Sequence, residues 1–515
     1  MPDLLLEAKR WKANVSRVSV PLDGSSVPGL WLNGRPERGS TEAAASILAP
    51  ATGQKLASLN LANAADVGKA VEASARAATT WAKTPLRERA ASLIELASRI
   101  EANLDILAAI DAKDTGSPVT AMRGSAAKGA LYLRMMAGVS YEMSGRTYPA
   151  SDGLHYTINQ PWGVVGGISA YNHPILFACQ KFGPALIAGN TVVLKPSEQA
   201  PLSTLALAAL TEDLLPPSVL NIVPGSAEAG AALAAHPTIQ RLTFTGGAAT
   251  GLKVQAAAAS SGTVKHLTLE LGGKNPMVIF TDASLEQAAA AAVRGTNFTR
   301  NQGQSCGATT RLLVHRAVAD SITERVVDEV SAIELGLPED PSTVMGSLIS
   351  KSHQTRVLEF IASGQAEGAN LLIGGGPPMD ERLASGAYVT PTVFDSVTPE
   401  MSIAREEIFG PVLSIVPWDD EDKVLNLAND SPYGLTASIW TNDIDKALGF
   451  SHDLEAGYIW VNDVETRYPG VPFGGWKLSG IGKEQALVDE LISFTRQKSV
   501  NVAIRSRRLA SQSGL

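Results

Sequence analysis

The chain has 515 residues, 45% of them hydrophobic and 18% charged, so it is too apolar to be disordered and long enough for about two to four domains. Its formal net charge of −8 disfavours nucleic acid and anionic membrane surfaces, because phosphate binding needs an excess of cations. The N-terminal stretch MPDLLLEAKRWK lacks the basic start of a signal peptide, and no apolar run reaches the ~20 residues that cross a bilayer.

The numbers and spacing of the cysteines and histidines bear on the cellular compartment and on metal binding. The two cysteines, Cys179 and Cys306, match no disulfide framework, zinc-ligand spacing or redox pair, which favours a reducing, cytoplasmic location. The seven histidines are scattered without ligand spacing, so we expect no metal site. A lone cysteine in this setting is either a reactive thiol or an inert core residue.

Helical spacing of apolar residues predicts a helical region from Asn63 to Asp114, which Gly116-Ser117-Pro118 ends. Residues 154–159 then alternate between apolar and polar side chains, as a strand does. From 163 to 225 short Val/Ile/Leu-rich strands alternate with helical segments, one of them from Ser203 to Leu215. RLTFTGG (241–247) and HLTLELGG (266–273) add two more such strands. This pattern predicts a doubly wound nucleotide-binding domain with a parallel sheet.

A second α/β region follows Lys274, with the strands NPMVIF (275–280), TTRLLVH (309–315) and VLSIVPW (412–418). The tail alternates again at Val500, Val502 and Ile504. We expect this strand to pair with the isolated strand near residue 156 and to contact a neighbouring subunit.

The segment NQGQSCG (301–307) carries the strongest chemical signal in the chain. It places Cys306 among small residues on an irregular stretch between a helix and a strand, which favours an accessible thiol. The same segment matches the nucleophile elbow G-x-S-x-G, with Ser305 at the serine position. An elbow requires a strand before the serine and a helix after it, and the predicted order here is the reverse. The dinucleotide motif G-x-G-x-x-G is absent, and the glycine-rich turn FTGGAATG (244–251) is the candidate phosphate-binding turn.

Three segments, LTLELGGKNP (267–276), NQGQSCG (301–307) and EEIFGPV (406–412), together resemble the NAD(P)-dependent aldehyde dehydrogenase superfamily. PWGVVGGISAYNHP (161–174), GNTVVLKPSEQAP (189–201), FTGG (244–247), NDSPYGL (429–435) and PFGGWKLSGIGKE (472–484) extend the resemblance from about residue 30 to 505. It implies that Cys306 attacks the aldehyde to form a thiohemiacetal and then a thioester, with Asn172 in the oxyanion position. Glu270 matches the base that activates water for thioester hydrolysis. Lys181 and Glu484 match proposed proton-relay positions, and the alternative is that they form a structural ion pair.

The resemblance also implies a cofactor site that binds NAD. Lys195 and Glu198 match the residues that hold the adenosine ribose, and a carboxylate at Glu198 would repel the 2′-phosphate of NADP. Glu407 matches the glutamate that holds the nicotinamide ribose, with Phe409 beside it. The remaining cofactor positions are Ile168, Ser169, Ser197, Gly225, Phe244, Thr245, Gly246, Gly247, Leu271 and Gly272. Many relatives have serine at the position of Gly247, so a hydroxyl near the pyrophosphate is missing here.

The expected substrate tunnel departs from the common pattern of the family. His173, Phe177 and Gln180 fall on one helical face, and the small Ser305 and Gly307 leave room beside the nucleophile. We therefore expect a bulky or aromatic aldehyde. Arg467 stands where relatives often have an aromatic residue, so it binds a substrate carboxylate or else pairs with Glu465 or lies at the rim. Tyr468 and Phe473 complete the predicted tunnel.

The expected fold class is α/β: a doubly wound NAD-binding domain (1–143 and 161–273), an α/β catalytic domain (274–479) and a small β oligomerisation element with the tail (144–160 and 480–515). We expect a homodimer or homotetramer that oxidises an aldehyde to the carboxylic acid with NAD. The alternatives are an aliphatic semialdehyde or amino-aldehyde dehydrogenase, a catalytically silent binding protein, and a thiol esterase.

Overall fold

The computed structural model describes residues 20–151 and 153–504. Its helices are α1 (Ala64–Trp81), α2 (Leu86–Ala102), α3 (Leu104–Thr115), α4 (Val119–Val139), α5 (Pro174–Ile187), α6 (Leu202–Ala209), α7 (Ala227–Ala235), α8 (Ala248–Ala259), α9 (Leu285–Gly295), α10 (Phe298–Asn301), α11 (Arg316–Ser331), α12 (Lys351–Ala366), α13 (Ser402–Arg405), α14 (Glu421–Asn429), α15 (Ile444–Asp453) and α16 (Val488–Ser493). None of these helices is both long enough and apolar enough to cross a membrane.

The strands form two large sheets and three small ones. They are β1 (Leu30–Leu32), β2 (Arg35–Glu37), β3 (Ala45–Leu48), β4 (Lys55–Leu59), β5 (Thr147–Tyr148), β6 (Gly153–Pro161), β7 (Val164–Ile168), β8 (Thr191–Lys195), β9 (Leu220–Ile222), β10 (Arg241–Thr245), β11 (His266–Glu270), β12 (Pro276–Ile279), β13 (Arg311–His315), β14 (Asn370–Ile373), β15 (Thr392–Asp395), β16 (Val412–Trp418), β17 (Tyr433–Gly434), β18 (Thr436–Trp440), β19 (Tyr458–Val461), β20 (Trp476–Lys477), β21 (Gly480–Ile481) and β22 (Thr495–Ala503).

The first large sheet has the strand order β2-β1-β9-β8-β7-β10-β11-β21. Its five central strands are parallel, with β8 and β9 on one side of β7 and β10 and β11 on the other. This is the doubly wound arrangement that the alternating strand and helix pattern predicts, and the fold-class prediction is confirmed. The chain order reverses between β7 and β10, and ligands of such sheets bind beside this point, at the carboxyl ends of the strands.

The second large sheet has the order β14-β15-β16-β13-β12-β18-β19 and lies in the part of the chain after Lys274. The pairs from β15 to β19 are parallel, and only β14 at the edge is antiparallel. Strand β16 covers the predicted strand 412–418, and all of its residues except Pro417 are buried. Helices cover both faces of the sheet, and each face has its own apolar cluster.

The third sheet has the order β22-β6-β5 and joins the chain end to residues 153–161. Thr495 pairs with Pro161 and Ala503 with Gly153 in one antiparallel register, so the predicted pairing of the tail with the strand near residue 156 is confirmed. Before this strand, β21 extends the first large sheet and Leu491 lies in its core. Residues 1–19 and 505–515, which the predicted domain boundaries include, lie outside the described residues.

The helical region predicted between Asn63 and Asp114 comprises α1, α2 and α3. The helix predicted from Ser203 to Leu215 is wrong at its end, because α6 stops at Ala209. The Thr211 hydroxyl donates a hydrogen bond of 2.7 Å to the Ala208 carbonyl, which competes with helical bonding, and Pro216 follows five residues later.

Candidate active site

The segment that carries Cys306 is irregular because of its backbone angles. Asn297, Gln302 and Gly303 all have φ between 57° and 73°, in the left-handed region. A Cβ atom at Gly303 would lie 2.1 Å from the Gly410 carbonyl oxygen, so only glycine allows this close approach. The segment follows helix α10 and leads into strand β13, and the nucleophile elbow for Ser305 is therefore excluded by topology.

Cys306 is held by the side chain of Asn275, whose amide nitrogen donates to the carbonyls of Cys306 (2.7 Å) and Ala308 (2.9 Å). The Cys306 side chain is partly accessible, whereas Cys179 is fully buried in the core of the first large sheet. The prediction that the two cysteines differ is confirmed, and Cys179 packs against Gly129.

Two cavities of about 240 Å³ each meet at Cys306. Asn172, Phe177 and Cys306 line both of them. The first cavity lies between α4, α5 and the loop 465–473, and the second lies at the carboxyl ends of β7 and β10. A group bound in either cavity can therefore reach the thiol from its own side.

The first cavity contains most of the predicted substrate residues. Those that line it are His173, Phe177, Gln180, Ser305, Arg467 and Phe473. Gly307 lies behind Arg467, and a Cβ atom there would be 2.4 Å from Arg467 Nη2. Tyr468 is outside the cavity: it is 51% exposed, and its hydroxyl donates to Asp463 Oδ2 at 3.0 Å.

The second cavity contains the predicted residues that flank the nicotinamide and pyrophosphate positions. Those that line it are Thr245, Gly246, Gly247, Gly272, Glu407 and Phe409, and the predicted base Glu270 lines the same cavity. Glu407 Oε1 accepts a hydrogen bond of 3.0 Å from the Gly273 amide, and a Cβ atom at Gly272 would collide with the Glu407 carboxylate. Burial raises the pKa of Glu407 to about 7.

The other predicted cofactor residues lie at or after the carboxyl ends of strands in the same sheet. They are Ile168 and Ser169 (β7), Lys195, Ser197 and Glu198 (β8), Gly225 (β9), Phe244 (β10) and Leu271 (β11). Lys195 Nζ lies 3.2 Å from Glu198 Oε2, and the Glu198 side chain is 43% exposed. The chain thus places all of these residues at one edge of the sheet.

Asn172 is buried, and its side-chain Nδ2 donates a hydrogen bond of 2.9 Å to the Gln304 carbonyl. Gln304 also accepts at its side-chain oxygen from the Tyr171 hydroxyl (3.3 Å) and the Ile349 amide (3.0 Å). Through these bonds Gln304, two residues before Cys306, is fixed to the loop that carries Asn172. The second amide hydrogen of Asn172 stays available to a group at Cys306.

Glu270 ends strand β11, and neither of its carboxylate oxygens has a hydrogen-bond partner among the described residues. Burial raises the pKa of Glu270 well above its usual value, and the negative charge of Glu484 raises it further. Glu484 pairs with the fully buried Lys181, and both contact the Thr243 hydroxyl at 3.0 Å. The structure thus brings the predicted relay residues together as an ion pair that lines neither cavity.

Burial also raises the pKa of the Cys306 thiol, to about 12, while the nearby Arg467 guanidinium lowers it in part. The Ser305 hydroxyl makes no hydrogen bond to a histidine or carboxylate within residues 20–151 and 153–504. Ser305 therefore lacks the activating partner that a serine nucleophile needs. In the same ranges, no group of three His, Cys, Asp or Glu side chains is placed to hold a metal ion.

Sequence reasoning missed several residues at both cavities. Ser125, Lys128 and Tyr132 of helix α4 and Arg300 of helix α10 line the first cavity. His353 and Arg356 of helix α12 line the second, where His353 Nε2 lies 2.7 Å from the Phe409 carbonyl oxygen. Phe409 itself has φ of 58°, so this contact supports a strained backbone beside the cofactor position. No local motif marks these helical positions, which approach the site only through tertiary packing.

Comparison with known proteins identifies the family. A sequence profile of the aldehyde dehydrogenase family matches residues 37–500. The chain is 42% identical over 483 residues to aldehyde dehydrogenase tropH from Talaromyces stipitatus, which covers 92% of this chain and 93% of that protein.

Solved structures agree with this match. The NAD⁺ complex of an aldehyde dehydrogenase from Bacillus cereus is 37% identical with a TM-score of 0.89, covering 95% of this chain and 100% of that one. The AldA indole-3-acetaldehyde dehydrogenase of P. syringae, in complex with NAD⁺ and IAA, is 33% identical with a TM-score of 0.89, covering 97% and 99%. With its parallel sheets, its accessible Cys306 and these relatives, the chain is an oxidoreductase that belongs to the aldehyde dehydrogenase family.

Proposed function

We propose that the protein oxidises an aldehyde, preferably a bulky or aromatic one, to its carboxylic acid with NAD. The observation that carries this proposal is the position of Cys306 between two cavities that also present Asn172 and Glu270. The B. cereus and P. syringae relatives, whose structures hold NAD⁺, support the choice of cofactor.

The second cavity, together with the strand ends beside it, presents groups that suit a dinucleotide. Gly247 stands at the N-terminus of helix α8, and a Cβ atom there would meet nothing within 4 Å, which leaves space for a phosphate at a helix end. Glu407 is placed for the nicotinamide ribose, and Lys195 and Glu198 for the adenosine ribose. The partly exposed Glu198 carboxylate favours NAD over NADP, because it would repel a 2′-phosphate. When bound, NAD supplies the acceptor for the hydride.

The first chemical step is attack of Cys306 sulfur on the aldehyde carbon. Because burial raises the pKa of this thiol, a base must remove its proton. Two carboxylates line the second cavity, Glu270 and Glu407, and we assign the base to Glu270, whose oxygens have no hydrogen-bond partner among the described residues. The C–S bond forms as the carbonyl oxygen becomes an oxyanion. The Asn172 amide and the Cys306 backbone N–H donate to this oxyanion. Loss of hydride from the thiohemiacetal carbon then leaves a thioester on Cys306.

Thioester hydrolysis completes the cycle. Glu270 first releases the thiol proton to solvent and then takes a proton from water. The resulting hydroxide attacks the acyl carbon, and the C–S bond breaks to release the acid and the thiolate. Neither Glu270 oxygen has a partner among the described residues, so a proton relay to Lys181 and Glu484 requires an intervening water molecule. The raised pKa of Glu270 suits a base that works near neutral pH.

The walls of the first cavity support a preference for aromatic aldehydes. His173 packs edge-on against Phe177, with ring centroids 5.6 Å apart, and Phe473 lies on the opposite loop. P. syringae AldA, an indole-3-acetaldehyde dehydrogenase, is similar over 97% of this chain. Cationic side chains in this cavity oppose the ammonium group of an amino-aldehyde, which argues against that alternative.

A rapid-mixing experiment with NAD and a panel of aromatic, aliphatic and amino-substituted aldehydes tests the proposal. We expect an NADH burst followed by steady turnover, fastest with aromatic aldehydes. Cys306→Ala should abolish the burst. Glu270→Gln should slow the burst, because the thiol loses its base, and should stop turnover after at most about one NADH per active site. Ser305→Ala should retain the burst, since its hydroxyl has no role in the attack.

Other outcomes would point to the alternatives. Absence of a burst across the whole panel would indicate a binding protein. Ester hydrolysis by Cys306 without NADH formation would indicate a thiol esterase. A burst confined to short aliphatic semialdehydes would overturn the aromatic preference.

We also propose that the protein assembles as a homodimer or homotetramer in the cytoplasm, through the β22-β6-β5 sheet. Leu154 and Val502 are directly opposite one another in this sheet, and both are exposed. The double variant Leu154→Lys/Val502→Lys should sediment as a monomer with an unchanged far-UV spectrum. Sedimentation identical to that of the wild type would contradict this proposal.

A further inference from the structure

The first cavity carries an excess of positive charge that the proposed reaction does not use. Its lining includes the three cations Lys128, Arg300 and Arg467 and a single carboxylate, Glu465. Arg300 pairs with Glu465, so these two charges offset each other. Lys128 and Arg467 form no ion pair within the described ranges 20–151 and 153–504. Glu465 is thus unavailable to Arg467, which excludes the intramolecular pairing considered from the sequence.

Arg467 is held in place by aromatic rings rather than by acceptors. Its guanidinium carbon lies 3.8 Å from the centroid of the Phe473 ring and 5.1 Å from those of Tyr458 and Trp460. Its Nη1 atom is enclosed and has no hydrogen-bond acceptor among the described residues. A guanidinium removed from water without an anion is costly, and an anion bound beside it would offset that cost.

Gly307 allows the guanidinium to approach the nucleophile. A Cβ atom at this position would lie 2.4 Å from Arg467 Nη2, too close for any side chain to coexist with Arg467 as placed. The three aromatic contacts prevent the guanidinium from moving freely. Gly307 and Arg467 therefore act as a pair. Gly307 follows Cys306 in the chain, and its lack of a side chain leaves room for the Arg467 guanidinium beside it.

The wall of the first cavity also presents polar side chains that carry no charge. Burial, together with the cations Arg300, Lys128 and Arg467, lowers the pKa of His173 to about 3, so its imidazole is neutral. The oxygen of Gln180 lines the cavity without a hydrogen-bond partner in the described part of the chain. Lys128 and Arg467 thus face an uncharged wall and no carboxylate other than the one that Arg300 already binds.

We infer that the substrate is an aldehyde that also carries a carboxylate, which Arg467 binds while Lys128 supplies a second positive charge. This inference rests on the proposed aldehyde oxidation. Because Arg467 contacts the residue next to Cys306, the carboxylate lies close to the reacting carbon, as in a carboxybenzaldehyde. The planar guanidinium can donate two parallel hydrogen bonds to a carboxylate, which an ammonium group cannot.

The test compares each carboxybenzaldehyde isomer with its neutral carboxamide analogue, formylbenzamide, which has nearly the same shape. For the wild type we expect kcat/KM to be at least about tenfold higher for the best acid than for its amide. Arg467→Gln should lower this acid-to-amide ratio about tenfold or more, and Arg467→Lys should restore part of it. Gly307→Ala should lower the ratio as well, because the added methyl displaces the guanidinium.

Lys128 has a matched control on the same helix. Lys128→Gln should lower the ratio about threefold, since a single longer-range charge is lost. Arg123→Gln removes the same charge from α4, but Arg123 is exposed and pairs with Asp105, so the ratio should not change.

Two outcomes would overturn the inference while leaving the proposed oxidation intact. In one, the wild type reduces NAD equally well with acid and amide. In the other, Arg467→Gln lowers kcat/KM by the same factor for both and shifts the pH dependence of Cys306 alkylation, which would make Arg467 a partner of the thiolate. If no aldehyde yields NADH, the proposed function itself fails, and direct binding of carboxybenzoate to wild type and Arg467→Gln still decides whether the cavity binds a carboxylate.

Discussion

The side-chain amide of Asn172 donates a hydrogen bond of 2.9 Å to the main-chain carbonyl of Gln304, two residues before Cys306. Under the proposed mechanism, this bond orients the amide so that its remaining hydrogen can donate to the oxyanion formed at Cys306. We expect Asn172→Ala to lower kcat/KM about 10²-fold or more, because one preorganised donor is lost. Steady-state kinetics with the best aldehyde of the panel measures this effect.

A matched control separates this role from general stability. Asn159 is a partly buried asparagine of strand β6, away from both cavities, whose amide likewise donates to a main-chain carbonyl, that of Ser144. Asn159→Ala should leave kcat/KM within about twofold of the wild type. If Asn172→Ala also stays within that range, Asn172 is a structural residue and not an oxyanion donor.

The buried pair of Glu484 and Lys181 is expected to set the acid limb of the pH profile. Glu270 works as a base only when deprotonated, so the hydrolysis rate rises as pH increases through its pKa. The Glu484 charge raises that pKa, and Lys181 lowers it. Glu484→Gln removes the charge that raises the pKa of Glu270 and leaves Lys181 without its ion-pair partner. The acid limb of the pH profile should therefore move to lower pH. The steady rate after the NADH burst, followed against pH, measures the shift. An unchanged limb, or one moved to higher pH, would contradict the assignment of Glu270 as the base.

Gly247 offers a gain-of-function test at the cofactor site. Its place at the N-terminus of α8 is open, and helix α8 has no side-chain cap. Gly247→Ser should add a hydroxyl both for the first turn of the helix and for the pyrophosphate, and lower the Kd for NAD about three- to fivefold. Titration calorimetry measures the change. Gly449→Ser, at another glycine with open space in a helix, should leave the Kd unaltered.

Asp111 predicts a pH dependence of stability away from the active site. It is fully buried in α3, neither carboxylate oxygen has a partner within the described residues, and burial raises its pKa to about 7 from 3.8. Between these values the folded state holds a proton that the unfolded state has released, so stability falls as pH rises through this window.

Asp111→Asn removes that ionisation. Above about pH 7 the variant should be more stable than the wild type, by up to about 4 kcal/mol, and the advantage should shrink towards pH 4. Denaturant unfolding at both ends of the window measures it. Asp105→Asn, an exposed position on the same helix, serves as the control. A constant difference across pH would show that Asp111 is ionised in the folded state.

The sequence was sufficient to predict those features of the fold that depend on local residue patterns. The Val/Ile/Leu-rich runs that became β7, β8 and β10 predicted the parallel sheet, and the alternation near residue 156 and in the tail predicted the β6–β22 pairing. The small residues around Cys306 predicted an irregular and accessible segment. Each of these signals lies within about ten consecutive residues, where periodicity is readable.

Features that depend on distant packing were not predictable. Lys128 belongs to an ordinary Ala-rich helix, and it becomes a cavity residue only because α4 packs against α5. The environment of Arg467 requires rings from β19 and from Phe473. The early end of α6 reflects a side-chain hydrogen bond of Thr211 that competes with a strong helical pattern.

The meeting of two cavities at one sulfur atom also has a kinetic consequence. Different elements line the two cavities, so under the proposed function the aldehyde and the dinucleotide would occupy separate spaces at Cys306. Under the proposed function, a tight-binding occupant of either cavity would therefore inhibit the enzyme without resembling the occupant of the other.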